Sequence, residues 1–268
     1  MARPIWSGTI SFGLVSVPVR MFSATQSQEL RFHFVTRADH EPIGYDKVRK
    51  DTGEHVDPDD IVRAFELEKG RYVPLEEEDV DRLDIELTRS IDICDFTALG
   101  EIDPLYYRKG YFLAPQEGAE KPYALLVRAL AESEKVGIAK VVIRNKQHLA
   151  ALRSYEERAL VLETMYYADE VRAPEVPELP ELRKAEVDMA KTLVDNLTEP
   201  FEPGRYHDRY REELLELLQA KAEGEELPEP QAGEEGEVVD LMDALRESVQ
   251  RAQGRKPSRG GKARRVSA

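Results

Sequence analysis

Residues 3–25 read Arg3-Pro4-Ile5-Trp6-Ser7-Gly8-Thr9-Ile10-Ser11-Phe12-Gly13-Leu14-Val15-Ser16-Val17-Pro18-Val19-Arg20-Met21-Phe22-Ser23-Ala24-Thr25. Apolar residues alternate through Ile10, Phe12 and Leu14, slip by one, and resume through Val15, Val17, Val19 and Met21. A period of two, not 3.6, marks a strand with one buried face, and the slip predicts a bulge near Gly13. Pro18 lacks the N–H that a sheet ladder uses, which predicts a barrel rim or an edge at that point. The chain's one tryptophan, Trp6, lies in this run.

Working outward, Leu30, Phe32 and Phe34 alternate with Arg31, His33 and Val35, a second strand-like run. Asp51-Thr52-Gly53 and Lys69-Gly70 are hairpin-type turn signals, with Arg71–Leu75 as a short strand after the second. Asp57-Pro58-Asp59-Asp60 predicts a helix start better than a metal site: Asp57 caps, Pro58 takes the first helical position, and Ile61, Val62 and Phe65 follow. Glu76-Glu77-Glu78-Asp79, ahead of Val80, Leu83 and Ile85, again suits a helix N-terminus, which favours negative charge. Strand character returns over 88–114 around a turn at Asp103-Pro104; a helix follows from Tyr123 through Leu130, ending near Gly137, and strands occupy 138–144 and 160–166. Many strands with inserted helices, without regular strand-helix alternation, predict a mainly β (α+β) fold: an antiparallel β-barrel core with helical insertions.

Pro174, Pro177 and Pro180 punctuate a linker. Beyond it, Ala185, Met189, Leu193, Val194 and Leu197 mark one amphipathic helix, and Tyr206, Tyr210, Leu214, Leu217 and Leu218 a second. Residues 224–237 shift to Glu, Gly and Pro, the composition of a disordered acidic linker. Val238, Leu241, Met242, Leu245 and Val249 then share one face of a short helix over 238–250, too short to be stable alone and so expected to fold on a partner. Residues 251–268 form a flexible basic tail containing Arg251, Arg255, Lys256, Arg259, Lys262, Arg264 and Arg265.

The 268 residues are 41% hydrophobic, enough for a real core. No signal-peptide layout opens the chain, and apolar runs break well before the roughly 18 residues of a membrane span, so no membrane association is expected. Cys94 has no partner for an intrachain disulfide and, among Ile91, Ile93 and Phe96, is expected to be a buried small hydrophobe and not a catalytic thiol. A net charge of −15 argues at first against nucleic acid, but the distribution matters more than the sum. Residues 1–50 carry 7 basic and 4 acidic side chains, 51–100 carry 5 and 16, and 101–150 carry 8 and 6. Residues 151–200 carry 6 and 12, 201–250 carry 5 and 15, and 251–268 carry 7 and none.

Phosphate-loop, dinucleotide, zinc-protease and paired-cysteine motifs do not occur, which leaves nucleotide hydrolysis, dinucleotide binding and zinc chemistry without sequence support, and no cofactor is expected. His207 and Asp208 are neighbours that point apart on a helix, so His207 is expected to be structural, near a helix start, with a subunit interface as its setting. The acidic clusters are contiguous and sit at helix starts, unlike a two-metal site spread across strand ends.

Several segments together resemble the bacterial Ku family of DNA-end-binding proteins. They are the opening run 3–25, Ile102-Asp103-Pro104, the stretch from Lys121 to Lys146, Leu162 to Arg172, Phe201 to Tyr210, and Ala220 to Gly224, in family order over roughly 3–224. The resemblance implies a non-enzymatic, ring-forming homodimer that threads onto double-strand DNA ends in the bacterial cytoplasm, at the nucleoid. It also implies recruitment of a multifunctional DNA ligase of the ligase D type for non-homologous end joining. It divides the chain into a barrel core with DNA-encircling bridge (1–175), a helical dimerisation arm (176–223), the acidic linker (224–237), a partner-binding helix (238–250) and the basic tail (251–268).

An end-binder that accepts any break must contact phosphates, which carry no sequence information. Lys109, Lys140, Arg144 and Lys146 are the expected lining, with Arg20 and Arg31 beside them; the tail residues Arg255, Lys256, Arg259, Lys262, Arg264 and Arg265 are a second contact or a solubilising end. Val238, Leu241, Met242, Leu245 and Val249 are the expected ligase-docking face. Two other classes compete: a metal-dependent nuclease using the acidic clusters, with Glu77 and Asp79 foremost, and an acidic scaffold that binds only proteins.

Overall fold

The computed structural model describes residues 3–76, 78–79, 89–144, 146–224 and 248–250. The chain divides into two compact units, Met1–Ala173 and Pro174–Ala268. The predicted first strand is two strands, β1 (Trp6–Phe12) and β2 (Val15–Ser23). Their register runs from Trp6↔Met21 to Phe12↔Val15, so the slip in the alternation is a two-residue hairpin turn at Gly13-Leu14, not a bulge. Gly13 has φ 58°, the left-handed conformation that two-residue hairpins demand at this position and that glycine adopts without a Cβ clash.

Two further strands, β3 (Arg63–Glu68) and β4 (Arg71–Leu75), form a separate hairpin around Lys69-Gly70. Then come β5 (Ser90–Ala98), β6 (Tyr107–Pro115), helix α1 (Glu120–Ser133), β7 (Lys135–Ile143), β8 (Lys146–Tyr155) and β9 (Ala159–Met165). Seven strands close a barrel in the order β1-β2-β6-β9-β8-β7-β5. The expectation of an antiparallel barrel needs one correction: β1 meets β5 in parallel, through Thr9↔Ser90, Ile10↔Ile91 and Ser11↔Asp92. Every other pairing in the ring is antiparallel.

The inward rows supply the core: Ile10, Val17, Val19, Met21, Ile91, Ala139, Ala150, Leu152, Leu160 and Leu162 are fully buried. Each Val, Leu or Ile so placed contributes about 1.5–3 kcal/mol relative to exposure. Helix α1 packs its Tyr123, Leu126, Val127 and Leu130 onto this core. The Tyr123 hydroxyl donates to the Leu113 carbonyl (2.6 Å) and accepts from the Leu160 N–H (2.8 Å), clamping the helix to two neighbouring strands. Near the opposite strand ends the Trp6 indole N–H donates to the Val142 carbonyl (3.0 Å), while Gly8 leaves room for the indole ring.

Pro18 lies within β2, next to Val19, whose partner Pro115 is the last residue of β6, and its carbonyl accepts from the Gln116 N–H (3.0 Å). A residue's N–H and C=O point to the same side of a strand. The missing donor therefore faces the place where β6 has ended, at the rim.

Other expectations are corrected by local geometry. Residues 24–34 form no strand, and the adjoining stretch holds only the isolated bridges Val35↔Pro42 and Val48↔His55. Asp57 does cap, accepting from the Asp59 N–H (3.0 Å), but the helix is a single 3-10 turn, Pro58–Asp60, and the chain enters β3 at Arg63. Helix α1 stops at Ser133 with Glu134 in the left-handed region (φ 52°), before Gly137, which instead lies in β7 against Ile93 and Phe96. Cys94 is exposed. Cys94 follows inward Ile93, so the strand alternation already puts it off the buried row, and the β5–β7 register jump from Ile93↔Ala139 to Asp95↔Ile138 makes it the extra residue of a bulge. The predicted helix at Val80, Leu83 and Ile85 lies outside the described residues.

In the second unit, α2 (Lys184–Leu197) and α3 (Arg209–Glu223) follow the predicted amphipathic segments, although Tyr206 precedes α3. Asp208 caps α3 by accepting from the Arg211 N–H (3.0 Å), and Gly224 ends it at φ 76°. Neither helix has a fully buried residue. Among the described residues no helix is long and apolar enough to cross a membrane.

Replacing Tyr123 with Phe strands a buried carbonyl and a buried N–H, and is expected to lower stability by about 2 kcal/mol, read as a reduced urea midpoint at unchanged m-value. A Cβ at Gly8 would stand 2.1 Å from the Arg89 carbonyl oxygen and 2.3 Å from the Trp6 ring. Gly8→Ala should therefore cost about 2–3 kcal/mol and shift Trp6 fluorescence, whereas Gly100→Ala, with open space around it, should do neither.

Candidate nucleic-acid interface

β6 begins at Tyr107, β9 ends at Met165, β7 ends at Ile143 and β8 begins at Lys146, and the register Tyr107↔Met165, Leu149↔Met165 and Ile143↔Lys146 brings these termini to one end of the barrel. Three of the predicted lining residues, Lys109, Arg144 and Lys146, belong to this end. The Lys109 ammonium lies 5.6 Å from the centroid of the Tyr111 ring, and its carbonyl accepts from the buried Thr164 hydroxyl (3.1 Å). Arg144 begins the two-residue β7–β8 turn at φ 51°. A left-handed conformation costs a non-glycine residue about 1–2 kcal/mol, so this turn holds an arginine at its tip against the backbone preference.

Lys146 lies 3.9 Å from the Glu170 carboxylate, a half-exposed pair of little energetic weight. The other Glu170 oxygen accepts from the Tyr167 N–H (2.9 Å).

Two residues of this end were not singled out by the sequence. The β6–β9 register jumps from Tyr107↔Met165 to Lys109↔Thr164, making Arg108 the extra residue of a bulge, and its guanidinium stands 5.5 Å from the Tyr166 ring centroid. A bulge re-aims its side chain out of the strand alternation, and nothing in a single strand's sequence announces it. His148, on β8 opposite buried Val141, is partly buried. Burial, with Lys146 and Arg108 nearby, pushes its pKa below the usual histidine value, and Glu170 opposes them.

Arg153, by contrast, is committed within the barrel wall. Its guanidinium makes a two-pronged pair with Glu163 (3.0 and 3.1 Å), which raises its pKa. Tyr107 faces the same pair, and burial raises its phenol pKa, with Glu163 adding to the effect.

The remaining predicted lining residues do not join the cluster. Lys140 is exposed on the outward row of β7, between Asp92 and Leu149 in the ladder. Arg20 is exposed on the outward row of β2, between Ser7 and Ala114. Arg31 lies in the irregular segment after β2. Arg255, Lys256, Arg259, Lys262, Arg264 and Arg265 lie outside the described residues, as do Val238, Leu241, Met242 and Leu245; Val249 lies in the helical residues 248–250.

The description "Ku70/Ku80 beta-barrel domain" belongs to the family model that matches residues 11–189. The chain is 44% identical over 260 residues to the Non-homologous end joining protein Ku of Symbiobacterium thermophilum, covering 95% of this chain and 64% of that relative, so it spans less than two thirds of that relative's length. It is 45% identical over 246 residues to the protein of the same name from Desulfitobacterium hafniense, covering 91% and 86% of the two chains. The Bacillus subtilis protein of that name is 40% identical over 262 residues, covering 95% and 83%. With the family match spanning most of the chain and all but the first strand of the barrel, this chain belongs to the Ku family.

Proposed function

We propose that this chain binds double-strand DNA ends without regard to sequence, as a ring-shaped homodimer, and serves non-homologous end joining by recruiting and stimulating a DNA ligase of the ligase D type, with no catalysis of its own. The observation that carries this reading is the similarity, over more than nine tenths of the chain, to proteins named for non-homologous end joining. In this reading residues 1–175 form the barrel core and bridge and 176–223 the dimerisation arm. Residues 224–237 are a linker, 238–250 the ligase-docking helix, and 251–268 a second DNA contact. The protein would work in the bacterial cytoplasm at the nucleoid.

Lys109, Arg144 and Lys146 at one barrel end, with Lys140 on the wall and Arg20 and Arg31 elsewhere, contact phosphate and sugar and not base edges. Each phosphate neutralised releases counterions, so log K falls with log salt at a slope near −0.9 per contact. A closed ring adds topology, since escape requires sliding back off the end.

Exposed apolar surface supports the dimer. In the β3–β4 hairpin Phe65 is 68% and Tyr72 63% exposed, and beside α2 and α3 Phe201, Tyr206 and Tyr210 are more than 70% exposed. A two-stranded hairpin is marginal alone in water, and among the described residues the two amphipathic helices bury no residue fully. A second copy of the chain covers such surfaces in an isologous interface.

No observation favours the competing nuclease reading. Asp79 accepts from the Glu76 N–H (3.2 Å), as a helix start would have it, and Glu77 lies outside the described residues.

Linearised plasmid should be bound stably at matched salt and the covalently closed form should not; equal binding to both would remove threading, and absent or salt-independent binding would favour the protein scaffold. Magnesium-dependent cleavage lost on mutating Glu77 and Asp79 would favour the nuclease. Changing Lys109, Lys140, Arg144 and Lys146 together to Glu should weaken linear-duplex binding at least about a hundredfold and flatten the salt slope by about 3.6 per subunit. Deleting residues 238–268 should spare dimerisation, measured by sedimentation, while reducing ligase stimulation; stimulation that persists in full would put the docking site elsewhere.

A further inference from the structure

Arg108, Lys146 and His148 lie on the two strands that flank the end of β9. That strand runs between β6 and β8, and its last residue, Met165, pairs with Tyr107 on one side and Leu149 on the other. Arg108, thrown out of the β6 alternation by the bulge, lies on the first side and rests on Tyr166, the residue that follows β9. Lys146 and His148 lie on the second side, two residues apart on β8.

The charged groups that face the His148 imidazole are Lys146, Arg108 and Glu170. Glu170 is the one carboxylate among them; one of its oxygens is held by the Tyr167 N–H and the other reaches Lys146 only at 3.9 Å. The imidazole is thus partly buried beside two cations and a single carboxylate, so positive charge is in excess around it. A guanidinium fork, an ammonium and a ring N–H are together the donors that a tetrahedral oxyanion accepts.

We propose that Arg108, Lys146 and His148 clasp one phosphate of bound DNA, and that His148 takes up a proton as the phosphate docks. This deepens the proposed function and rests on it. In the free protein burial and the two cations hold the imidazole's pKa below the usual histidine value, which favours its neutral form. A phosphate against the ring favours its charged form and raises its pKa, so binding consumes a proton between the free and the bound values. Affinity then rises as pH falls through that window, by at most about tenfold per pH unit for one proton, and levels off below the free-protein value. The clasp makes this barrel end a proton-linked contact, whereas Lys140 and Arg20 on the outer rows respond to salt alone.

The test is binding of the full chain to a linear duplex with 5′-hydroxyl ends, whose backbone does not titrate, from pH 5.5 to 8.5 at fixed salt. Wild type should bind more tightly as pH falls. His148→Gln should hold the weak, high-pH affinity across the range, which separates this ring from the other histidines. Arg108→Gln should weaken binding at every pH and lower the salt slope by about 0.9 for each subunit, with Arg108→Lys restoring the slope. The His148 ring resonances should titrate at higher pH with duplex bound than without. Unchanged thermal melts, followed by Trp6 fluorescence, exclude unfolding as the cause. A repeat on 5′-phosphorylated duplex separates the sources: an equal effect assigns the clasp to a backbone phosphodiester, and one confined to the phosphorylated ends assigns it to the terminal phosphate. If wild type binds the duplex but its pH profile survives His148→Gln and its affinity survives Arg108→Gln, the clasp is overturned and the DNA-end reading stands. Should wild type fail to bind linear duplex at all, both fall together.

Discussion

Seven strands closed into a ring cannot alternate direction all the way round, and one neighbouring pair must run parallel. The seam between β1 and β5 is that pair. Much of the architecture follows from it. Five strands, β6-β9-β8-β7-β5, form an antiparallel sheet from consecutive or nearly consecutive parts of the chain, and the β1–β2 hairpin fills the gap between its two edges. With the gap filled, the inward rows become a closed core, Tyr123 can clamp α1 across β6 and β9, and Trp6 reaches over to the Val142 carbonyl. Closure also fixes the barrel end where β6, β7, β8 and β9 start or finish, and with it the spacing of the cations there.

Elements governed by local rules were legible in the sequence. Period-two alternation located the strand character of β1 and β2, apolar strand-like runs located β5, β6, β7 and β9, a glycine after a charged residue located the β3–β4 turn, and helical spacing located α1, α2 and α3. Where a reading failed, a non-local or one-residue effect had intervened. The slip at Gly13 has the same signature whether the chain bulges or reverses, and only the pairing Phe12↔Val15 decides. Cys94 has apolar neighbours in sequence, but it is out of phase with the inward Ile91 and Ile93 and sits at a bulge opposite Ile138 and Ala139. Ile61, Val62 and Phe65 have helical spacing, yet the chain leaves its single 3-10 turn for a strand. Residues 30–35 alternate without any neighbouring strand to pair with.

The site was legible in part for the same reason. Lys109, Arg144 and Lys146 stand out as base in a basic stretch, and the fold gathers them at one end. Lys140 looked equivalent in sequence, but its position on an outward row gives it a different neighbourhood, opposite Asp92. Arg108 and His148 were missed because their meaning is relational: one depends on a bulge against β9, the other on being brought beside residues from β6 and from the turn after β9. The strained backbone of Arg144 is equally invisible from composition. Charge reads easily from a sequence, whereas convergence of charge requires the register.

The parallel seam bears on how the protein comes to be folded at all. Thr9 and Ser90 are about eighty residues apart, and the β2 partner strand, β6, ends only at Pro115. Translation at roughly 5–20 residues per second makes the N-terminal hairpin wait about 4–15 s until β5 is complete and about 5–18 s until β6 is. Through that interval its two edges carry unpaired backbone groups beside an apolar row, the features that draw nascent chains into intermolecular sheet. Long-range pairing also makes ring closure a slow event relative to helix and hairpin formation. The first residues made are therefore among the last to find their places, and the yield of folded protein depends on keeping that hairpin soluble while it waits.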